Sequence, residues 1–357
     1  MILLISWGLL AFFLSFLLTL LVRRLALTAG IVDKPTVPRK IHSRPVARLG
    51  GLAIYISVSA VVIGILVTSN ALTSGEITSW HYIGVLIGGL ILMIGGYLDD
   101  RYDLPAHTRI FAPILAALVA IGFGIEVDKL TNPFSAIGGY AFGGGGFIYL
   151  TSLQSDFLVF VWLMLVMYTT KFLDGLDGLA TSVTSVGAIM ILLLSLTAAY
   201  FQPDVALLSA VTIGAYLGFL FWNVHPASIF LGEGGSTFVG FMLGTLAVIS
   251  GGKVATALLV LGIPLMDVVW VISRRWREGG IARVFIGDKK HLHHRLLALG
   301  WGQTRIVILY VAVAAAFGVS ALFLQSREKL VALIILSLLM ILTALFFVQK
   351  ERHAHSS

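Results

Sequence analysis

The chain alternates long apolar runs with short polar connections. Eleven runs are centred near Phe13, Ser59, Leu90, Ala117, Leu163, Leu192, Gly214, Met242, Gly262, Ala314 and Leu338. Runs of about 20 apolar residues suit bilayer-crossing helices, because a helix satisfies its own backbone hydrogen bonds where water is absent. The pattern predicts an all-α integral membrane protein of about 11 transmembrane helices. It reads as a single polytopic domain over 1–357, with a short cytosolic tail at 349–357. The first run, Ile2 to Val22, has no basic residue ahead of it and exceeds the core of a signal peptide, so it is expected to remain as a helix.

Composition agrees with this class. Of the 357 residues, 58% are hydrophobic and 11% charged, whereas a soluble domain carries roughly 25% charged residues. With no cysteine, disulfides and thiolate metal sites are excluded. A net charge of +7 suggests nucleic acid until its placement is examined. With the amino terminus outside, the inner connections are 23–49, 99–109, 171–178, 223–235 and 273–305, plus the tail from Gln349. They hold every Lys and Arg except Lys129, Lys253, Arg327 and Lys329. That asymmetry follows the positive-inside rule, predicts a cytosolic carboxyl terminus, and leaves no charge pattern calling for nucleic acid.

The clustered acids fall on the same side. Asp99, Asp100, Asp103, Asp174, Asp177, Glu233 and Asp288 all lie in inner connections, so these loops are expected to converge into a site at the membrane surface. The run Lys171-Phe-Leu-Asp-Gly-Leu-Asp-Gly places three ionisable residues directly after an apolar segment, where charge points to function. Asp174 and Asp177, three apart, would share one face in the first turn of a helix, with Gly175 and Gly178 leaving room beside them. Asp99 and Asp100 repel each other and ask for a compensating cation. Hard oxygen ligands suit Mg²⁺, and a solvated loop just past a helix end is the plain alternative. Glu233, in Phe230-Leu-Gly-Glu-Gly-Gly-Ser-Thr, sits in a tight turn opening a helix whose amides favour an anion. Pro264 predicts a bend that either swings Asp267 toward the inner site or serves packing alone.

Basic residues face these acids in two loops. One contains Arg274, Arg275, Arg277, Arg283, Lys289 and Lys290, then His291-Leu-His-His-Arg-Leu. Its imidazoles lack the helical zinc spacing and better suit an anionic substrate with which histidine trades protons. The other holds Lys34, Arg39, Lys40, His42, Arg44 and Arg48, each of which alone could also serve anionic headgroups. Glycines at 138, 139 and 143–146 read as a loop or short hairpin rather than a phosphate cradle. The pairs Gly84/Gly88, Gly214/Gly218 and Gly240/Gly244 read first as internal packing and second as a homodimer face. Acids for a divalent cation, bases for phosphates and a membrane to hold a lipid together indicate phosphoryl chemistry on a lipid-linked substrate. A transporter or flippase is the competing class. It would place polar groups near the midplane, often in repeated halves, whereas here charge gathers at the inner ends. A scaffold without turnover leaves the acid pairs unexplained.

Several stretches, in order from Val32 to Leu296, carry a resemblance. They are Val32-Asp-Lys-Pro, Arg39-Lys-Ile-His, Arg48-Leu-Gly-Gly, Asp99-Asp-Arg-Tyr-Asp-Leu, Asp174-Gly-Leu-Asp-Gly-Leu, Phe230-Leu-Gly-Glu-Gly-Gly-Ser, Pro264-Leu-Met-Asp and Asp288-Lys-Lys-His-Leu-His-His-Arg-Leu. Together they resemble the polyprenyl-phosphate N-acetylhexosamine-1-phosphate transferases. The resemblance implies ten or eleven helices and a Mg²⁺ or Mn²⁺ requirement. It also implies transfer of a sugar 1-phosphate, first of all GlcNAc-1-phosphate, from a UDP-sugar to undecaprenyl phosphate with release of UMP. Its place would be the inner (cytoplasmic) membrane, as the first membrane step of a cell-envelope polysaccharide pathway. The implied catalytic residues are Asp99, Asp100, Asp174, Asp177 and His291. Lys40, Arg48, Lys171, Asp267, His293, His294 and Arg295 would bind substrate, and Glu233 and Asp177 the metal. Two positions depart from the family pattern: Lys171 stands where asparagine is usual and Glu233 where aspartate is usual, both at the metal centre in relatives. Lys171 is expected either to pair with Glu233 or to place fixed positive charge beside the diphosphate, weakening the dependence on divalent cation without abolishing it.

Overall fold

The computed structural model describes residues 1–34, 44–132, 146–251, 253–284, 291–324, 328–339 and 342. Along the chain run α1 (Ile2–Thr28), β1 (Val32–Asp33), β2 (Val46–Ala47), α2 (Gly50–Thr68), α3 (Ser79–Tyr102), α4 (Phe111–Gly122), β3 (Lys129–Thr131) and β4 (Phe147–Tyr149). There follow α5 (Ser152–Leu173), α6 (Leu179–Ser195), α7 (Pro203–Asn223), α8 (Gly232–Ile249), α9 (Val254–Val260), α10 (Gly262–Val284), α11 (Leu292–Ala298) and α12 (Gln303–Phe323). A further helix covers 328–339.

Seven of the described helices, α1, α2, α3, α5, α7, α8 and α12, are long and apolar enough to cross a membrane, and α9 with α10 makes an eighth if the bent pair is one span. The chain is a multi-pass helical membrane protein. Each of the eleven predicted centres lies in a helix, but not every apolar run is a full span. The 12 residues of α4 rise roughly 18 Å against a hydrocarbon core of about 30 Å. The run around Ala117 looked longer because Phe123, Ile125 and Val127 prolong the apolar pattern after the helix has ended, with Gly124 at a φ of 94°. The ninth run is likewise not one straight helix with a proline kink. The chain turns by 76° between α9 and α10, and Pro264 sits in the first turn of α10, where its missing N–H removes no intrahelical bond.

The core is organised around α8, whose apolar window is 83% buried, against 22% for α1 at the periphery. Helices α2, α3, α5 and α6 pack on α8, and α1 runs along α7. Among apolar side chains, burial from lipid gains little, so close backbone approach and interhelical hydrogen bonds hold the bundle. Trp162 Nε1 donates to Gly244 O (2.9 Å), Thr170 Oγ1 to Ser236 O (2.8 Å), and Tyr216 OH to Val239 O (2.9 Å). The small-residue pairs serve these internal contacts: Gly214 and Gly218 meet the α1 backbone, and Gly240 and Gly244 meet α5. Strands β3 and β4 pair antiparallel, as a hairpin reading requires, while glycines 138, 139 and 143–145 between them lie outside the described residues.

Where α3 crosses α8, a Cβ at Gly96 would overlap the backbone nitrogen and Cα of Gly234. Backbone cannot rotate away, so Gly96→Val must push the two helices apart. We expect it to lower stability by about 3 kcal/mol, the upper part of the usual overpacking range, read as a fall in the thermal unfolding midpoint of the detergent-solubilised chain. An unchanged midpoint would overturn the close backbone contact between α3 and α8.

Candidate active site

The loops at one end of the bundle are stitched together by backbone hydrogen bonds. Strands β1 and β2 pair antiparallel, and Ala47 bridges to Ile229. Phe230 N–H donates to Ala47 O (2.8 Å), Gly50 N–H to Phe230 O (2.9 Å) and Gly51 N–H to Leu231 O (2.8 Å). This sets the entry to α2 beside the entry to α8 and lays Arg48 against the end of α3. Arg48 pairs with Asp33 and, at 3.4 Å, with Asp100 Oδ1. Asp100 Oδ2 accepts the Glu233 N–H at 3.0 Å, an anion at a helix start as the glycine turn leads one to expect.

Neighbouring positions on a helix point about 100° apart, so Asp99 and Asp100 serve different partners. Asp99 Oδ1 pairs with Arg109 Nε (3.0 Å) and accepts the Leu104 N–H (2.9 Å). Arg109 also reaches Asp103 Oδ1 (2.8 Å). Both acids are nearly enclosed, their side chains 8% and 5% exposed. The cations compensating this acid pair are thus arginines, one of them 10 residues downstream, which repulsion between the acids alone does not reveal.

In the last turn of α5, Lys171 makes an ion pair with Glu233 in the first turn of α8, and its Nζ lies 5.2 Å from the centroid of the Tyr168 ring. Asp174 and Asp177 do not open a helix. Asp174 caps the end of α5 with ψ of 42°, and α6 begins only at Leu179, after Gly178 at φ of 75°. The room expected beside the two glycines is taken up by the protein itself, by His293 at Gly175 and by Leu220 and Val224 at Gly178. Desolvation of its carboxyl, with Glu233, Asp100 and Asp177 adding negative charge, pushes the pKa of Asp174 well above the usual carboxylate range. Asp177 Oδ2 contacts His225 Nδ1 (2.7 Å) and accepts the Ala227 N–H (3.1 Å).

The bend before α10 brings Asp267 to the histidine segment. Asp267 Oδ2 lies 2.8 Å from His291 Nδ1, and Oδ1 accepts the Leu292 N–H at 2.9 Å, at the start of α11. His291 stacks on Phe172 of α5 (centroids 5.6 Å apart) and on His293 (5.7 Å). Burial, then the neighbouring His294 and His291, drives the pKa of His293 well below the ordinary imidazole value. Its Nε2 abuts Gly175, which joins the histidine segment to the acid loop. Arg295 lies one turn further along α11.

Lys40, with Arg39, His42, Asp288, Lys289 and Lys290, lies outside the described residues. Arg109, His225 and Asp33 are additions to the predicted set. His225 follows Asn223 in a two-residue step out of α7, with no local spacing to single it out. A cavity of about 290 Å³ opens between α3 and α4. Its walls include Ile94, Leu98, Phe111 and Leu115, all exposed on the outside of the bundle, and Asp99, Arg109 and Glu233 also line it. Among the described residues, no group of three His, Asp or Glu side chains is arranged to hold a metal ion. Each carboxylate expected to serve one already has a partner: Lys171 for Glu233, Arg48 for Asp100, Arg109 for Asp99, and His225 for Asp177. As arranged, these residues do not fit a divalent cation.

Residues 82–251 match the family model described as Glycosyl transferase family 4. Over 331 residues, the chain is 31% identical to a Bacillus subtilis protein named "Probable undecaprenyl-phosphate N-acetylglucosaminyl 1-phosphate transferase", covering 91% of this chain and 86% of that one. It is 33% identical to the decaprenyl-phosphate N-acetylglucosaminephosphotransferase of Mycobacterium tuberculosis, covering 90% and 83%. It is 28% identical to the undecaprenyl-phosphate alpha-N-acetylglucosaminyl 1-phosphate transferase of Escherichia coli K12, covering 84% and 78%.

Proposed function

From the premise that this chain belongs to glycosyl transferase family 4, among the polyprenyl-phosphate N-acetylglucosamine-1-phosphate transferases, we propose how its site works. The enzyme transfers GlcNAc-1-phosphate to a polyprenyl phosphate, with UDP-GlcNAc as donor and UMP as the second product. A phosphate oxygen of the acceptor attacks the β-phosphorus of the donor, a new P–O bond forms, the anhydride bond between the α- and β-phosphates breaks, and UMP carries away the electron pair. The acceptor is a phosphate monoester whose second pKa is about 6, so near neutral pH it is already mostly ionised and no dedicated base is needed. The work left to the protein is positioning and charge compensation. Arg48, Arg109 and Lys171 supply positive charge; Asp99 and Asp100 hold the two arginines in place.

The observation that carries this reading is the convergence of Asp99, Asp100, Lys171, Asp174 and Glu233 from the ends of α3, α5 and α8 onto one polar centre. The cavity between α3 and α4 runs from exposed apolar side chains to Asp99 and Arg109, a junction suited to a lipid phosphate. We assign this end of the bundle to the cytosolic side of the inner membrane, with the amino terminus outside, because the basic connections lie there. Membranes containing the full chain, given radiolabelled UDP-GlcNAc and undecaprenyl phosphate, should yield a butanol-extractable sugar lipid and equimolar UMP. Label that stays entirely aqueous would overturn the reading, and a panel of UDP-sugars would fix the donor.

A further inference from the structure

A positive charge already sits where the acids of this centre converge. Lys171 Nζ contacts Glu233 Oε1, with the two side chains only 17% and 21% exposed. The ammonium is held from behind by the face of Tyr168, one turn earlier on α5. Asp99 is within electrostatic reach of both Lys171 and Glu233, and Asp174 within reach of Glu233, Asp100 and Asp177. Lys171 therefore answers Glu233 by contact and Asp99 through space, in a centre where Asp174 adds negative charge next to Glu233.

A divalent ion entering this cluster needs bare carboxylate oxygens. Mg²⁺ keeps most of its waters and is usually held by one or two carboxylates plus substrate phosphates, so losing a single carboxylate is a large fraction of its protein ligands. Glu233 cannot serve the ammonium and a metal ion at full strength together, and the two cations repel each other across it. A protonated lysine has donors and no lone pair, so Lys171 competes with a metal and cannot join its ligand set. The same ammonium can meet charge that builds on a transferring phosphoryl group, a task open to any preorganised cation.

We propose that Lys171 is the resident cation of this centre, holding Glu233 in place of a divalent ion, so that the enzyme binds divalent metal weakly and meets part of the diphosphate charge with its own side chain. The inference rests on the transfer reading above for the identity of the diphosphate, but its test does not. The purified full chain in detergent is titrated with Mn²⁺ and without substrate, free Mn²⁺ being followed by electron paramagnetic resonance. Lys171→Asn should bind Mn²⁺ at least about tenfold more tightly than the wild type, a 1.4 kcal/mol change. Adding Glu233→Gln to Lys171→Asn should remove that gain, and Lys171→Arg should stay weak. In the wild-type background Glu233→Gln should change Mn²⁺ affinity by less than about twofold, a comparison that stands even if Lys171→Asn fails to fold. Equal or weaker Mn²⁺ binding by a folded Lys171→Asn, or a clear loss on Glu233→Gln alone, overturns the proposal. Absence of sugar-lipid product from every variant would count against the transfer reading only, since the titration reads the cation directly.

Discussion

Asp100→Asn should lower the rate of sugar-lipid formation by about 10²- to 10³-fold, the usual effect of removing one preorganised electrostatic contact from a water-poor site. Asp100 accepts on both sides, from Arg48 at 3.4 Å and from the Glu233 N–H at 3.0 Å. Asparagine has one acceptor and one donor end. If its oxygen keeps the Glu233 N–H, its NH₂ faces the Arg48 guanidinium; if it turns over, two N–H groups confront each other at the start of α8. Either way Arg48 loses the negative charge that holds it beside the centre, with Asp33 its remaining ion-pair partner among the described residues. The mismatch itself costs about 1–3 kcal/mol of stability, so the chain should remain folded with a modestly lower unfolding midpoint while turnover collapses. Asp103→Asn is the control. Its carboxylate is 96% exposed and, among the described residues, its ion pair is with Arg109, and exposed pairs contribute little, so turnover should fall by no more than about threefold. Equal losses in the two variants, measured as UMP released by the purified chain, would show that general negative charge at the end of α3 matters and not the Asp100 contacts.

The contrast between these two acids marks what can be read along a chain. Asp99, Asp100, Lys171, Asp174 and Glu233 stand out because charge beside an apolar run is costly, and that cost is visible without coordinates. Which acid takes which cation is not visible. Arg48 reaches Asp100 across 52 positions and Lys171 reaches Glu233 across 62, distances closed only when glycines let α2, α3 and α5 pack against α8. Helix identity is legible for the same reason as the acids, since long apolar runs have few other solutions. Helix length is not, because hydropathy continues through Phe123 to Val127 although the backbone has left the helix. The loop carrying Asp174 and Asp177 shows the same limit. Its 3-residue spacing fits a helix, but Gly175 and Gly178 favour the turn that ends one helix and starts another. The bend ahead of Asp267 is foreshadowed by Pro264, yet occurs at Leu261, where the turn between α9 and α10 requires no proline.

That bend makes Asp267→Asn the other substitution expected to act strongly, at about 10²-fold in turnover, through the way His291 is held at the site and not through loss of a base. An ionised carboxylate only accepts, so the 2.8 Å contact to Asp267 Oδ2 places a proton on His291 Nδ1. Asp267 Oδ1 meanwhile accepts the Leu292 N–H and anchors the first turn of α11. Asparagine can keep that anchor with its single oxygen, but its NH₂ then faces His291 Nδ1. The imidazole must present a lone pair there and carry its proton on Nε2. The substitution thus turns Nδ1 from donor to acceptor on a ring clamped against Phe172 while barely disturbing the backbone. Asp267→Ala removes anchor and tautomer control together, so it should lose more activity and also unfold at lower temperature. For Asp267→Asn the loss should appear in kcat with a changed pH profile and an unchanged unfolding midpoint, because only the proton's address has moved. If Asp267→Asn and Asp267→Ala lose activity and stability in the same proportion, Asp267 acts by holding α11 in place and His291 has no tautomer-dependent part in the reaction.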